Sequence, residues 1–337
     1  MEKITKENLM KSIVFFNNKG GVGKTTFTYH IGFALEQAGK KILFVDADPQ
    51  CNLSSHLCDD AIISKEWGTN GNSIYKAVEP IVSGSGDINF VEPYRLGNRN
   101  IWIFVGDLLL SDFEMELTNA WTQLLAGMER GFRVTSAIYR IIMNFCQKEN
   151  IDYVFIDIGP NMGALNRAIL LGCDNYFIPV IPDMFSLRGT QNIGRTFATW
   201  ISNFQYALER VTLSNFDCVC GTPQFSGYIL QQFNKYRKRE TKAFENWGDQ
   251  IPNTIENYIV KPLTTPTLSK YNLVQKQTNY KIAEFKNYNG LIPLAQAAQK
   301  PIFELTSKDG VVGGHIAYVK NCKKEFDEIA QNFLKAL

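Results

Sequence analysis

Apolar residues in this chain fall into short unbroken runs, and between the runs they recur every three or four positions. Ile13-Val14-Phe15-Phe16, Lys41-Ile42-Leu43-Phe44-Val45, Ile101-Trp102-Ile103-Phe104-Val105 and Tyr153-Val154-Phe155-Ile156 have the length and β-branched or aromatic content of strands buried on both faces. Tyr176 to Pro182 reads as another strand, interrupted near its end by prolines. Phe27, Ile31, Ala34, Leu35 and Ala38 repeat at helical spacing, and Gly39 is a suitable stop. Further helices are expected over 73–82 (capped by Ser73), 109–125, 134–147, 161–172, 191–203 and 315–337. Strands alternating with helices predict an α/β fold, a doubly wound, mostly parallel sheet flanked by helices on both faces. Residues 1–11 read as a short tail and 12–337 as a single domain. The polar stretch 53–100, punctuated by Gly, Asn, Ser and Pro, reads as a peripheral insert.

The chemistry gathers at the ends of the strands. Asn17-Asn18-Lys19-Gly20-Gly21-Val22-Gly23-Lys24-Thr25-Thr26 joins the first strand to the first helix, the context a phosphate loop requires. Gly20, Gly21 and Gly23 let the backbone turn tightly and aim several N–H groups at one anion, and the helix N-terminus adds its partial positive charge. Lys24 can reach the terminal phosphates of a nucleotide, and the Thr25 hydroxyl can ligate Mg2+. The second strand ends in Asp46-Ala47-Asp48-Pro49-Gln50, two acids that are costly to bury unless they meet a cation or donors. The strand at 153–156 closes on Asp157, whose carboxylate is placed to hold Mg2+ directly or through water. With the loop, these make the chain a P-loop NTPase by pattern.

Lys19-Gly20-Gly21-Val22-Gly23-Lys24-Thr25-Thr26 resembles the deviant phosphate loop of the ParA/MinD family of ATPases. The resemblance implies that Lys19 reaches across a dimer interface to the partner's nucleotide, where a second ammonium would stabilise charge developing during phosphoryl transfer. Asp46-x-Asp48-Pro49-Gln50 is similar to the first switch segment of ParA proteins, which implies that Asp48 orients the attacking water and helps hold Mg2+, and that Asp46 supports the loop or the metal shell. Two departures stand out: Cys51 where glycine is usual, and Gly159 before Pro160 where the family has Asp-x-Pro-Pro. Residues 183–189 resemble the family's segment after the next strand. Residues 222–231 resemble its late strand, with Gln231 near the adenine, and 292–302 its C-terminal loop and helix, with the Pro293 backbone near the base. By this likeness the nucleotide is held by Gly20, Gly21, Val22, Gly23, Lys24, Thr25, Thr26, Gln231 and Pro293, and Mg2+ by Thr25, Asp48 and Asp157. The implied function is a Mg2+-dependent ATPase that hydrolyses ATP slowly and dimerises around it. It would bind DNA non-specifically in the ATP state and drive partition of a plasmid, phage or chromosome, stimulated by a ParB-like centromere-binding protein. The alternatives are a MinD-like positioning ATPase at a membrane and a nucleotide switch regulating another system.

Composition narrows the classes. Apolar content of 45% and charged content of 20% are ordinary for a soluble globular protein, and a net charge of +2 does not by itself argue for nucleic acid. Seven irregularly spaced cysteines fit a reducing cytosol, and three histidines away from any cysteine pair argue against zinc. Cys218-Val219-Cys220 would face one side of a strand, in the core, and no cysteine has the setting of a bridging metal cluster. Neither a signal peptide nor a membrane span is present, so the chain reads as cytoplasmic. Lys235, Arg237, Lys238, Arg239 and Lys242 lie among Glu240, Glu245 and Asp249, which reads as a solvated helix face with DNA contact as the sharper alternative. Tyr318, Cys322, Phe326, Ile329, Phe333 and Leu337 form a stripe on the last helix. Glu325, Asp327 and Glu328 on its polar face favour docking on the core over binding anionic lipid.

Overall fold

A computed structural model of the chain describes residues 10–232, 246–277, 279–286, 288 and 290–337. Its centre is an eight-stranded sheet in the order β3-β4-β2-β5-β1-β6-β7-β8. The strands are β1 (Lys11–Phe15), β2 (Ile42–Asp46), β3 (Tyr94–Arg95), β4 (Ile101–Phe104), β5 (Tyr153–Asp157), β6 (Asn175–Val180), β7 (Gln224–Gln232) and β8 (Lys281–Lys286). All neighbours run parallel except the edge pair β3–β4. The continuous apolar runs are explained by cover on both faces: Val14 and Phe16 point into one core, Ile13 and Phe15 into the other.

The helices are α1 (Lys24–Gln37), α2 (Asn52–Leu57), α3 (Asp60–Trp67), α4 (Ile74–Val82), α5 (Leu110–Leu125), α6 (Glu129–Thr135), α7 (Ala137–Glu149), α8 (Ala164–Gly172) and α9 (Met184–Leu208). Then α10 (Ile251–Ile255) runs through a π-helical turn (Glu256–Val260) into Lys261–Leu263, followed by α11 (Ile292–Ala298) and α12 (His315–Lys335). One core lies beneath α4, α5, α7, α8 and α9; the other lies beneath α1 and α12.

Several expectations are corrected. The start of the polar stretch expected as a peripheral insert is helical, forming α2 and α3; the Asp59 carboxylate caps α3 by accepting from Ile62 N–H at 2.8 Å. Ser73 does not cap α4: its buried hydroxyl donates to Asp107 Oδ2 at 2.6 Å. The helix expected over 134–147 is two, α6 and α7, meeting at Ser136. The one expected from Asn161 starts at Ala164, because Asn161 Oδ1 accepts from Gly163 N–H and turns the chain first. Cys218 and Cys220 are not on a strand; they precede β7, Cys218 half-buried and Cys220 exposed. The last helix docks on the core as expected, burying Cys322, Phe326, Ile329 and Phe333, while Tyr318 is exposed.

Candidate functional site

The parallel strands deliver their carboxyl ends to one edge, and the loop residues, Asp48, Asp157 and Gln231 lie there, while Pro293 is on α11. After β1 the chain passes through Asn17, which is fully buried and ties the loop to the end of β6: its side-chain amide donates to Pro179 O at 2.7 Å, and its Oδ1 accepts from Lys19 N–H at 3.0 Å. Gly21 and Gly23 sit at φ 72° and 73°, in the left-handed region. A Cβ on Gly23 would also fall 2.4 Å from the Gln231 amide nitrogen. Helix α1 begins at Lys24, three residues before the first apolar repeat, so Lys24, Thr25 and Thr26 form a first turn that carries no acid. Its N-terminus is therefore open to an external anion.

Lys24 is buried and its ammonium donates to Asn17 O at 3.2 Å. Burial lowers its pKa, against the opposing pull of Asp157 and Asp48. The Thr25 hydroxyl donates to Asp157 Oδ2 at 2.7 Å, while Asp157 Oδ1 is buried without a partner among the described residues. Burial, reinforced by Asp46, pushes the Asp157 carboxyl up to about 8. A buried carboxylate with one oxygen unmet, beside a hydroxyl, is a donor set that suits a hard divalent cation such as Mg2+. Among the described residues no group of three or more His, Cys, Asp or Glu side chains could hold a metal, so such an ion would draw its remaining ligands from phosphate and water.

The two acids after β2 do different things. Asp46 is fully buried and turned away from the loop: Ser54 N–H and Ser54 O–H each donate to its Oδ2 at 2.7 Å, and Asp48 N–H donates to Oδ1 at 3.3 Å. Gly106 N–H completes the chain by donating to Ser54 Oγ at 2.8 Å. Asp46 thus fixes α2 and the Asp48 backbone rather than contacting the loop. Burial pushes it up to about 7, with the Ser54 hydrogen bonds pulling the other way. Asp48 accepts from Gln50 N–H at 3.0 Å and faces Gly159, where a Cβ would come within 3.3 Å of its Oδ1. Gly159 therefore makes room for Asp48, bringing the segments that follow β2 and β5 into contact. Cys51 has φ 52° and ψ 33°, the left-handed backbone that explains why glycine is the usual residue there.

Lys19 pairs within its own chain with the Asp183 carboxylate. The other Asp183 oxygen accepts from Ser186 N–H at 2.8 Å and so caps α9, which starts seven residues earlier than the periodicity predicts. Gly189 permits this, since a Cβ there would fall 2.5 Å from Asn18 Oδ1. Gln231 rests on the phosphate loop, its amide donating to Gly23 O at 3.4 Å. Pro293 lies in the first turn of α11, which is tied to α2 by Gln296 and His56, 2.9 Å apart; no hydrogen bond joins α11 to the loop among the described residues. Lys235, Arg237, Lys238, Arg239 and Lys242 lie outside the described residues. Sequence reasoning singled out the loop from Asn17 and the segment 183–189 but assigned no role to Asn17, Asp183 or Gly189, and it did not single out Ser54. Of these only Ser54 carried no signal in the sequence.

A family model described as an AAA domain matches residues 10–210. The chain is 30% identical over 259 residues to the chromosome-partitioning ATPase Soj of Treponema pallidum (strain Nichols), covering 76% of this chain and 87% of that one. A solved structure of a protein from Corynebacterium diphtheriae superposes with a TM-score of 0.66 at 22% identity, covering 97% and 99% of the two chains. That of the Cyanothece McdA(D38A)–ATP complex does so with 0.59 at 17%, covering 96% of each. These structural likenesses speak for the fold. No helix among the described residues is long and apolar enough to cross a membrane.

Proposed function

The chain belongs to the ParA-type family of partition ATPases, and from that premise we propose that it is a Mg2+-dependent ATP hydrolase that dimerises around ATP, binds DNA non-specifically in that state and drives DNA partition. The observation that carries this reading is the convergence of Lys24, Thr25 and the partnerless Asp157 oxygen on an acid-free helix N-terminus.

In this reading residues 12–337 act as one domain, with 53–100 as a peripheral insert. The N–H groups of 20–26 and the Lys24 ammonium bind the phosphates. Thr25 and Asp157, with Asp48 nearby, would hold Mg2+, which supplies charge neutralisation on the phosphate oxygens. Asp48, positioned by Asp46 through the switch backbone, orients the attacking water. Gln231, on the phosphate loop, and Pro293, in the first turn of α11, bound the nucleotide's base end. Lys19 exchanges Asp183 for the partner protomer's nucleotide, so assembly depends on ATP and cleavage dissolves it. Turnover is slow alone and is raised by a ParB-like centromere-binding partner, with the dimer acting on the nucleoid in the cytoplasm. A MinD-like membrane role is not favoured, because the apolar stripe of α12 is spent on the core.

Steady-state ATP hydrolysis of wild type and Asp48→Ala, with and without DNA, tests the reading. Turnover should fall at least tenfold in the variant while nucleotide binding persists. Unchanged turnover would remove Asp48 from its role.

A further inference from the structure

The helices that follow the second switch have an unusual surface. Helices α8 and α9, of 9 and 25 residues, contain Arg167, Arg188 and Arg195 and no Asp or Glu. None of the three arginine side chains has an ion pair or hydrogen bond among the described residues. The carboxylates at the two ends of α9 have partners of their own: Asp183 accepts from Ser186 N–H at 2.8 Å as the helix cap, and Glu209 pairs with Lys270. On the neighbouring π turn, Glu256 lies near Tyr280.

Arg188, Asn192, Arg195, Thr199 and Asn203 are exposed and recur every three or four residues, so they share the outer face of α9, opposite the buried Ile193, Phe197, Ile201 and Phe204. Seven residues of helix set Arg188 and Arg195 about 10 Å apart. On the α8 side of the same face, the half-buried Arg167 guanidinium lies 4.2 Å from the Trp121 ring centroid and 5.9 Å from that of Trp200, with Glu114 of α5 as the carboxylate that acts on it. On the other side Gly194 lets the backbone at Tyr258 pack close, and Tyr258 is exposed. The outer face of α9, with the unpaired Arg188 and Arg195 guanidinium groups, neutral Asn and Thr donors and no carboxylate of its own, is complementary to a polymer of regularly spaced phosphates.

We infer that the outer face of α8 and α9 is the surface that grips the DNA backbone, with Arg188 and Arg195 on phosphates and Arg167 bordering the contact. This rests on the DNA-binding step of the proposed function and adds where that contact lies. It uses residues other than the basic run at 235–242. Contacts of this kind read no bases, so binding should be insensitive to sequence and sensitive to salt.

The test is fluorescence anisotropy of two unrelated DNA duplexes titrated with protein and ATP·Mg2+ across a salt series, with light scattering as a check on dimer formation. Arg188→Ala/Arg195→Ala should bind both duplexes at least about tenfold more weakly, with a salt slope shallower by roughly 2 per protomer. Arg188→Lys/Arg195→Lys, which keeps the charge, should bind almost as wild type, and Lys65→Ala, losing a charge on exposed α3, should equal it. The alanine variant binding with wild-type affinity and slope would overturn the assignment. So would a lysine variant as weak as the alanine one, which would mark a structural role. Polyglutamate displacing DNA as well as competitor DNA would reassign the face to an acidic protein. A wild type that dimerises with ATP yet binds neither duplex would remove the DNA step itself.

Discussion

The loop edge of the sheet and the aromatic layer beneath α1 and α12 are built from the same strands, yet they are in opposite physical states. In the layer, Phe15 meets Phe27, Phe177 and Phe333 with ring centroids 4.9, 5.6 and 5.9 Å apart. Its one imidazole is fully satisfied: His30 Nδ1 donates to Thr26 O at 2.7 Å, Nε2 accepts from Ile302 N–H at 3.1 Å, and the ring stacks on Phe326. At the edge, the Asp46, Asp48 and Asp157 carboxylates are buried, one Asp157 oxygen has no partner among the described residues, Cys51 is left-handed, and Lys19 is held by a group from its own chain. The layer supplies stability. The edge withholds interactions that a triphosphate and a cation can complete, so its residues should respond to ligand while those of the layer should not.

The sharpest way to break this contrast is to damage each side and ask what is lost. Phe333→Ala, a fully buried ring removed, should cost about 3–5 kcal/mol in urea unfolding while leaving ATP affinity near wild type in the folded population. Asp157→Asn should do the reverse: nucleotide-free stability at pH 8 should hold or rise, because a buried charge is removed, while ATP turnover falls about 100-fold.

The pH dependence of stability should separate the sides by sign. The His30 pKa is depressed to about 4 by burial, so the native state takes up fewer protons than the unfolded chain between that value and about 6.5, and its contribution is lost as pH falls through this window. Asp46 and Asp157 are raised to about 7 and 8, so the native state holds more protons there, and stability is lost as pH rises toward 8. Thermal unfolding should show His30→Gln flattening the acid limb and Asp157→Asn the alkaline one, each by a few degrees. If both variants flatten the same limb, the contrast fails. The smallest effect expected is Cys51→Gly, which relieves the left-handed backbone and should stabilise the nucleotide-free chain by roughly 0.5 kcal/mol.

The layer and the strand order's consequences were legible because parallel strands buried on both faces write themselves as unbroken apolar runs. The loop was legible because three glycines, a lysine and two threonines must be consecutive to cradle phosphate. What stayed hidden was non-local. Nothing near Asp46 announces that Ser54 and Gly106 complete its shell, and α9 was started too late because Asp183 and Gly189 act through contacts with Lys19 and Asn18, far away in sequence. Helices α2 and α3 were missed because their short segments carry few buried apolar residues. Asp46, expected to support the loop or the metal shell, lies beside Asp157 and takes its hydrogen bonds from Ser54 of α2 and the Asp48 backbone.

Light scattering on wild type and Lys19→Ala in ATP·Mg2+ and in ADP·Mg2+ tests the central claim most directly, namely that Lys19 leaves its own chain's Asp183 to complete a nucleotide in a second protomer. The account predicts doubled mass for wild type in ATP alone, and a Lys19→Ala protein that binds ATP but keeps the protomer mass. Lys19→Ala doubling like wild type, or a wild-type mass indifferent to nucleotide, would contradict it.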